Sequence, residues 1–315
     1  MSFRTLDLNL LRVFDAVMAE RNLTRAADQL AMTQPAVSNA LRRLRDSVGE
    51  PLFTRAPYGV KPTARAEALW PVVQQALHAL RSEFAPEHYD PLTQDHTFLL
   101  AMADATSAVL LPPLLRELGR SRARATVRVI PLATRDPSDT LERAQADMAV
   151  GHFPDLVMRL ERAQRAGEHL PLRAECLYRS EYVCVMRREH PLAQQPLTLE
   201  AYCAAEHLLV SFSGRGQGLV DDALAAMGRS RRLALTVNQF FTAGQVVAQT
   251  DLLTVLPRSF LPVTGVAEGL AVRDLPVPLA PLQVHLLWHR RHDRDPAHLW
   301  MREQVAVQAR ATMPT

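Results

Sequence analysis

The chain has 315 residues, of which 48% are hydrophobic and 22% are charged. This length predicts two or three domains, since an ordinary domain holds about 100–200 residues. No apolar run approaches the roughly 18 residues that span a bilayer, and the amino terminus lacks a secretory signal, so we predict a cytoplasmic protein without membrane contact. Three cysteines without a CxxC pair argue against a disulfide framework and against a zinc site.

Positive charge is concentrated at the start of the chain. Residues 1–65 hold ten Lys or Arg against six Asp or Glu, whereas the remainder holds 26 against 27. A local basic excess attracts polyanions, because counterions are released when cationic side chains neutralise phosphates. We therefore expect the first segment, rather than the whole chain, to contact nucleic acid.

Residues 23–45 predict two short helices joined by a tight turn. Thr24 and Thr33 stand where N-caps belong, and Pro35 falls in the first turn of the second helix, where a missing N–H costs nothing. In this second helix, apolar residues spaced by four and three form an inward stripe of Val37, Leu41 and Leu44. The pattern is typical of a helix-turn-helix.

The outward face of the second helix combines amide, hydroxyl and guanidinium groups. Asn and Gln side chains pair with base edges, and Arg holds guanine or phosphate, so this face suits the DNA major groove. The alternative is a merely solvated face of a helical bundle, which the basic charge of the segment disfavours. The candidate DNA contacts are Gln34, Pro35, Ser38, Asn39, Arg42 and Arg43.

Residues 53–61 predict a short β-hairpin that would form a wing beside the helix-turn-helix. Gly59 supplies the positive φ that the turn of this hairpin requires. Arg55 and Lys61 flank the tip, where their side chains are predicted to hold DNA phosphates.

A long helix is predicted to follow the wing, from Thr63 to about residue 84. Its apolar residues alternate steps of four and three, and such a seam seeks a partner helix. Pro71 predicts a kink, and the alternative is that the helix packs on its own domain. A polar segment with two prolines follows it and predicts a linker. The seam consists of Leu69, Val73, Ala76 and Leu80.

From residue 97 onward, strands alternate with helical segments, which is typical of an α/β domain with a largely parallel sheet. The fold class is therefore α/β overall, with an N-terminal winged helix-turn-helix and a long linker helix before the α/β region. The predicted strands cover residues 98–103, 126–132, 148–151, 182–186, 208–211, 253–256 and 284–288.

Ligands of open α/β sheets bind beyond the carboxyl ends of the strands, where helix amino termini present free amides. Hydroxyl groups with aromatic neighbours at these positions suit a small aromatic or aliphatic carboxylate. The alternative is that the hydroxyls cap helices and the aromatic rings belong to the core. The candidate effector-binding residues are Thr106, Ser107, Gly151, His152, Phe153, Ser211, Phe212, Ser213, Phe241 and Thr242.

The segment LRVFDAVMAERNLTRAADQLAMTQPAVSNALRRLRDSVGEPLFTRAPYGVKPT, together with LLPPLL, MAVG, EYVCVMRREHPLA and TDLLTVLPR further on, resembles the LysR-type transcriptional regulators. The tail HLLWHRRHDRDPAHLWMREQV is similar to the branch that includes nodulation and aromatic-degradation regulators. The resemblance covers essentially the whole chain.

The resemblance implies a two-lobed effector domain that is similar to periplasmic binding proteins. On that basis we expect a DNA-binding domain at 1–63, a linker and dimerisation helix at 64–94, lobe one at 95–169 plus 267–315, and lobe two at 170–266. It also implies four partners: operator DNA, a small-molecule effector, the chain itself as a homodimer and homotetramer, and RNA polymerase if the protein is an activator.

Other functional classes find less support in the sequence. An enzyme is not expected, because GxSxG and HExxH motifs are absent and GRGQG at 214–218 lacks the residues of a phosphate loop. No cofactor or metal is expected either, since the histidines lack suitable companions. A thiol-redox regulator using Cys176 and Cys184, or a solute-binding protein that does not bind DNA, remains as an alternative.

Overall fold

The computed structural model describes residues 7–312, except residues 58, 85–87, 133, 169, 212 and 213. Two compact units are present, Met1–His88 with Asp139–Gln145, and Tyr89–Ser138 with Ala146–Thr315. Among the described helices, none is long and apolar enough to cross a membrane.

The part of the first unit before residue 89 contains three helices, a hairpin and a fourth, longer helix. In chain order these are α1 (Asn9–Glu20), α2 (Leu23–Gln29), α3 (Gln34–Val48), β1 (Phe53–Ala56), β2 (Gly59–Pro62) and α4 (Ala64–Phe84). The helix-turn-helix and the wing predicted from the sequence are thus confirmed as α2, α3 and the antiparallel β1–β2 pair.

Of the two N-caps predicted for the helix-turn-helix, the cap of α3 is confirmed and the cap of α2 is wrong. Thr33 caps α3 as expected, since its hydroxyl accepts from the Ala36 amide at 3.4 Å, with a proline in the first turn. The prediction of Thr24 as the cap of α2 was wrong. Asn22 has the extended backbone of an N-cap, and its Oδ1 accepts from the amides of Thr24 and Arg25 at 2.9 and 3.2 Å.

The wing is held against the end of α1. Arg21 adopts a left-handed conformation after α1, and its carbonyl oxygen accepts from the Val60 amide at 2.9 Å. Gly59 has a φ of +147°, and a Cβ at this position would overlap that same carbonyl oxygen. The positive φ predicted for Gly59 is confirmed, and close backbone approach is a second reason for glycine.

The long helix α4 belongs partly to the core of the first unit. Ala66, Val73 and Leu77 are buried with residues of α1 and α3, and the Trp70 indole donates to Asp15 Oδ1 at 2.8 Å. The predicted seam therefore divides: Leu69 and Val73 pack on the core of the first unit, whereas Ala76 and Leu80 are exposed. The exposed apolar stripe is Val72, Ala76 and Leu80.

The second unit contains two five-stranded sheets. The first has the order β4-β3-β5-β12-β6, with β3, β4, β5 and β6 running in one direction and β12 opposed to them. Helices α5 and α11 cover one face of it, burying Leu110, Leu114, Met301 and Val305. Its strands are β3 (His96–Met102), β4 (Ala125–Pro131), β5 (Met148–Gly151), β6 (Leu172–Ser180) and β12 (Leu282–His289), and the two helices are α5 (Asp104–Arg120) and α11 (Pro296–Thr312).

The second sheet has the order β11-β7-β10-β8-β9, in which only β7 runs against the others. Its strands are β7 (Tyr182–Arg187), β8 (Glu206–Val210), β9 (Arg232–Val237), β10 (Leu253–Pro257) and β11 (Leu270–Asp274). The other helices after residue 88 are α6 (Ser138–Glu142), α7 (Pro154–Arg165), α8 (Leu199–Ala204), α9 (Leu219–Ala226) and α10 (Phe240–Val247), with 3-10 turns at Pro191–Gln194, Arg258–Val263, Ala267–Gly269 and Arg290–His292.

The chain changes sheet later than the predicted lobe boundaries. Strand β6 was placed in lobe two but pairs with β12, because Leu177 and Tyr178 join the core of the first sheet. Strand β11 was placed in lobe one but pairs with β7. The crossings therefore lie at Glu181 and at residues 275–281, not at 169–170 and 266–267; residue 169 itself is outside the described residues.

All seven predicted strands are observed, and three further strands were not predicted. The missed strands β6, β9 and β11 are edge or near-edge strands with much polar surface, such as Arg173 and Arg232, so they lack the apolar runs that mark the central strands.

Replacing Gly59 by Ala is expected to lower the free energy of unfolding of the first unit by about 3 kcal/mol, from backbone strain plus overlap with the Arg21 carbonyl. Thermal unfolding followed by circular dichroism measures this loss. The matched control is Gly49→Ala, since Gly49 has a φ of +85° but a Cβ added there would meet no atom within 4 Å. That control should cost about 1 kcal/mol, and equal losses in both variants would contradict the packing argument.

Candidate functional site

The polar face of α3 is exposed along its length. Gln34, Pro35, Ser38, Asn39 and Arg42 all lie on the solvent side, opposite the buried Val37 and Leu44. The Arg42 guanidinium donates to Asn39 Oδ1 at 2.7 Å, one turn away. The two groups best suited to read a base pair are therefore already side by side in the free protein.

Arg43 has a different environment from the other predicted contacts. Its guanidinium forms an ion pair with Asp7 at 3.1 Å, and both side chains are largely exposed. An exposed pair of this kind contributes about 0–1 kcal/mol, so a phosphate can compete for the guanidinium. Arg43 is thus accessible to a DNA phosphate, either in place of Asp7 or through its other nitrogen atoms.

The hairpin register separates the two wing cations. Arg55 lies opposite Val60, whereas Lys61 lies opposite Thr54, so the two side chains point to opposite faces of the hairpin. Both are exposed. Tyr58, at the tip, is outside the described residues. The sequence does not predict the register of the hairpin. It therefore could not show whether Arg55 and Lys61 lie on the same face of the hairpin or on opposite faces.

In the second unit, the carboxyl edges of both sheets meet at the crossings. Strand β6 ends at Ser180 and β7 begins at Tyr182, and the Ser259 amide donates to the Ser180 hydroxyl at 3.0 Å. The start of α5 reaches across, since Ala105 and Ala108 pack against the core of the second sheet. We name the region between these two carboxyl edges the cleft.

Four predicted effector-binding residues that carry hydroxyl groups lie at these carboxyl edges, namely Thr106, Ser107, Ser211 and Thr242. Thr106 is nearly buried in the first turn of α5, and the Ser107 hydroxyl donates to the Ala103 carbonyl at 3.0 Å. Ser211 follows β8 and is half-buried, and Thr242 is exposed near the start of α10. The hydroxyl of Ser107 thus already serves its own helix.

The aromatic side chains of Phe153 and Phe241 pack in or against the core, whereas the sequence predicted that they would line a ligand. Phe153 is fully buried, and its ring covers Gly151, where a Cβ would lie 3.0 Å from Phe153 Cζ and 3.1 Å from Leu132 Cδ2. Phe241 packs edge-on against Phe260 at 4.9 Å between ring centroids. Phe153 and Gly151 belong to the core and the half-buried Phe241 packs against it, while Phe212 and Ser213 lie outside the described residues.

His152 lies between the cleft and the first sheet. Its Nδ1 is 2.9 Å from the Gln283 carbonyl oxygen, at the start of β12. Burial lowers the pKa of this imidazole, the Gln283 carbonyl opposes that change, and the charge of Arg135 lowers the pKa further. His152 is therefore a neutral hydrogen-bonding group at pH 7.

Arg135 and Tyr182 were not predicted from the sequence as site residues. Burial raises the pKa of the Tyr182 phenol, whereas the charge of Arg135 lowers it, so one exposed guanidinium acts on both Tyr182 and His152. The three groups come from the loop after β4, the end of β5 and the start of β7. Only the pairing of the strands brings them together, and the sequence offers no spacing signal for it.

The cysteines of the thiol alternative lie in strands of different sheets. Cys184 is fully buried on β7, and burial raises the pKa of its thiol to about 12. Cys176 is exposed on β6. A thiol with so high a pKa supplies almost no thiolate at neutral pH, so this geometry disfavours a redox pair. Within the described ranges, no group of three or more His, Cys, Asp or Glu side chains could hold a metal ion.

An exposed recognition-type helix with a wing, together with a two-sheet domain whose parallel strands all end at the crossings, is typical of a DNA-binding protein with a ligand-type domain. Comparison with known families agrees with this class. Residues 8–67 match the model of the bacterial regulatory helix-turn-helix protein, lysR family, and residues 93–310 match the LysR substrate binding domain.

Individual relatives match over nearly the whole chain. The HTH-type transcriptional activator NahR of Pseudomonas putida is 34% identical over 304 residues, covering 96% of this chain and 97% of the relative. Nodulation protein D 3 of Rhizobium leguminosarum bv. phaseoli is 31% identical and covers 100% of both. A probable transcriptional regulator from Pseudomonas aeruginosa has a solved structure with a TM-score of 0.74 at 33% identity, covering 96% of this chain and 97% of that one.

The chain belongs to the LysR family of transcriptional regulators, with an N-terminal helix-turn-helix DNA-binding domain and a C-terminal effector-binding domain. The resemblance noted in the sequence is thereby confirmed. Members of this family are regulators of transcription rather than enzymes, and the cleft lies in the part of the chain that matches the family's substrate-binding domain.

Replacing Arg135 by Ala is expected to raise the pKa of both His152 and Tyr182, because a positive charge is removed beside each group. NMR titration of the imidazole signals measures the histidine, with His152→Gln to assign its resonance. Arg173→Ala is the matched control, since Arg173 is an exposed arginine at the other end of β6 and pairs with Asp293. A His152 pKa that moves equally in both variants would contradict the proximity of Arg135.

Proposed function

We propose that this regulator reads operator DNA with α3 and responds to a small carboxylate, aromatic or aliphatic, bound in the cleft. The observation that carries the effector half is the meeting of the two carboxyl edges at Ser180 and Tyr182, where the charge of the exposed Arg135 guanidinium lowers the pKa of both His152 and Tyr182. A cation beside a neutral imidazole and a phenol suits an anion with a hydrogen-bonding group.

For DNA, we assign base reading to the exposed amide, hydroxyl and guanidinium groups of α3, with Pro35 against the groove wall. Backbone contacts are assigned to Arg43, which pairs with Asp7 through one nitrogen only, and to Lys61 and Arg55 on the two faces of the wing. The base-reading set is Gln34, Ser38, Asn39 and Arg42.

For the effector, we assign the carboxylate to Arg135, with His152, Tyr182, Thr106 and Ser107 completing the first lobe. Ser211 and Thr242 would contact the ligand from the second lobe, and Ser213 and Phe212 stay as predicted contacts outside the described residues. Gly151, Phe153 and Phe241 shape the cleft from within the core instead of touching the ligand.

The remaining partners follow from the exposed side of α4 and from the family. Val72, Ala76 and Leu80 form an apolar stripe, and pairing of two such stripes would make the homodimer, from which a homotetramer is assembled. Effector binding would change the pairing of the effector domains and hence the spacing of the DNA-binding domains. We place this action in the cytoplasm, with RNA polymerase as a partner if the regulator activates.

Base-reading and backbone-contacting side chains are expected to respond differently to removal. Arg42→Ala or Asn39→Ala should relax specificity at one base pair and weaken operator binding by about 1–3 kcal/mol. Lys61→Ala should weaken binding to all sequences alike and reduce the salt dependence by about one counterion. Fluorescence anisotropy with operator and mutated duplexes, at several salt concentrations, measures both effects.

The DNA experiment has a matched control in the second unit. Arg310 is an exposed arginine paired with Glu175, and Arg310→Ala should leave affinity and salt dependence unchanged. Unchanged operator affinity in Arg42→Ala would show that α3 is oriented differently on DNA. A purified protein that leaves no footprint on any upstream region would remove the DNA-binding half of the proposal.

The effector assignment is tested by ligand-induced stabilisation of the full chain. Benzoate and cyclohexanecarboxylate should raise the melting temperature with increasing concentration, whereas the uncharged benzamide should not, because the guanidinium requires an anion. Arg135→Ala should abolish the shift and Arg173→Ala should retain it. A shift that persists in Arg135→Ala would place the carboxylate elsewhere.

A further inference from the structure

In the lobe of the second sheet, a buried ion pair joins the residue before β9 to the first turn of α9. The Arg231 side chain is 2% exposed, and it donates to Asp221 through two nitrogens, Nε to Oδ1 at 2.7 Å and Nη2 to Oδ2 at 3.1 Å. Burial lowers the pKa of the guanidinium, but the Asp221 bonds outweigh it and the pKa is raised. Both groups are therefore charged in the folded protein.

The Asp221 carboxylate also holds the backbone at the start of α9. Its Oδ2 accepts from the Gly218 amide at 2.8 Å, which fixes the first turn of that helix. Gly218 is confined from the other side as well, since a Cβ there would lie 3.1 Å from Leu209 Cδ1. One carboxylate thus joins the buried guanidinium to the backbone that leads into α9.

The third donor of Arg231 anchors the pair to the body of the lobe. Nη1 donates to the Tyr202 hydroxyl at 2.8 Å, and the Tyr202 ring is fully buried on α8. The Tyr202 carbonyl in turn lies 2.7 Å from Nε2 of His207, a buried residue at the start of β8. The guanidinium is therefore held on one side by the lobe and holds Asp221 on the other.

The segment that this network fixes connects the carboxyl end of β8, which borders the cleft, to α9. Residues 214–218 follow the carboxyl end of β8, and residues 214–217 are exposed. Two further hydrogen bonds restrain the segment, from the Gly214 amide to the Ser211 carbonyl at 3.2 Å and from the Gln217 side chain to Asp222 at 2.9 Å. Both hydrogen bonds are either exposed to solvent or formed between near neighbours in the chain, so they hold the segment only weakly. The position of the segment relative to β8 is therefore set by Gly218, whose amide is held by Asp221.

We propose that Arg231 is a positioning residue of the effector site: through Asp221 it sets the place of residues 214–218 and of the α9 start at the cleft edge. This rests on the proposed function of the cleft. A buried ion pair is a poor stabiliser compared with apolar packing of equal volume, so stability alone gives little reason for it. A planar guanidinium with two parallel donors does fix the direction of a carboxylate, which an ammonium group does not.

The first test measures the position of the segment without any ligand. Hydrogen exchange of the full chain, read on peptides covering 214–226, is compared between wild type, Arg231→Lys and Asp221→Asn. The lysine keeps the charge but loses the two-donor geometry, and the asparagine keeps an acceptor for Gly218 but loses the ion pair. Both should exchange about tenfold faster at the α9 start, the equivalent of one lost charge-assisted bond.

The matched control is Arg302→Met. Arg302 is also a nine-tenths buried arginine, but it stacks on Trp288 at 4.2 Å in the first lobe, on α11. This variant should lower the melting temperature without faster exchange in 214–226. If the segment exchanges equally fast in Arg302→Met and Arg231→Lys, the effect is general destabilisation and the proposal fails.

The second test measures benzoate affinity by calorimetry at a temperature well below every variant's melting point. Arg231→Lys should raise the dissociation constant about tenfold, while operator affinity without ligand and the affinity of Arg302→Met for benzoate stay at wild-type values. Unchanged benzoate affinity in Arg231→Lys would overturn the positioning role. If wild type binds no benzoate, the effector class is wrong, and the exchange comparison alone still decides whether Arg231 places the segment.

Discussion

The effector domain depends on one constraint of chain path: both crossings between the sheets lie at the carboxyl edges of their parallel strands. A single residue, Glu181, separates β6 from β7, and its carbonyl accepts from the Arg258 amide at 2.8 Å. Because the strands of both lobes end there, the loops and helix starts of both converge on one region. The cleft is thus a consequence of topology, and side chains only specify what it binds.

Local signals in the sequence were sufficient where the structure is local. Thr33 and Pro35 start α3, and the apolar spacing of Val37 and Leu44 buries the expected face, because caps and periodicity act within one helix. The start of α2 shows the limit of such local signals, because the side chains of Asn22 and Thr24 can both accept a hydrogen bond. The extended backbone conformation of Asn22 makes it the N-cap. Three of the edge strands, β6, β9 and β11, were missed because they lack apolar runs and are held in the sheets by neighbours distant in sequence.

The candidate site was less predictable than the fold. Hydroxyl residues after strands were found, since the rule that ligands lie at carboxyl edges needs only strand ends. Phe153 and Gly151 follow the same rule, yet the ring folds back over the glycine and both become core. Arg135 is the opposite case: it lies in a loop without any motif, and pairing of β3, β4 and β5 brings that loop near His152.

The first unit limits how any signal can reach DNA. Ala66, Val73 and Leu77 of α4 share one core with α1 and α3, and the Trp70 indole is bonded to Asp15 on α1. Rotation of α4 about its axis would expose these buried side chains and break the Trp70–Asp15 hydrogen bond. Each of these changes costs more free energy than the thermal energy available. The part of α4 from Ala66 to Leu77 therefore moves with the recognition helix as one body, and a displacement of the carboxyl-terminal end of α4 changes the position of α3 instead of its packing.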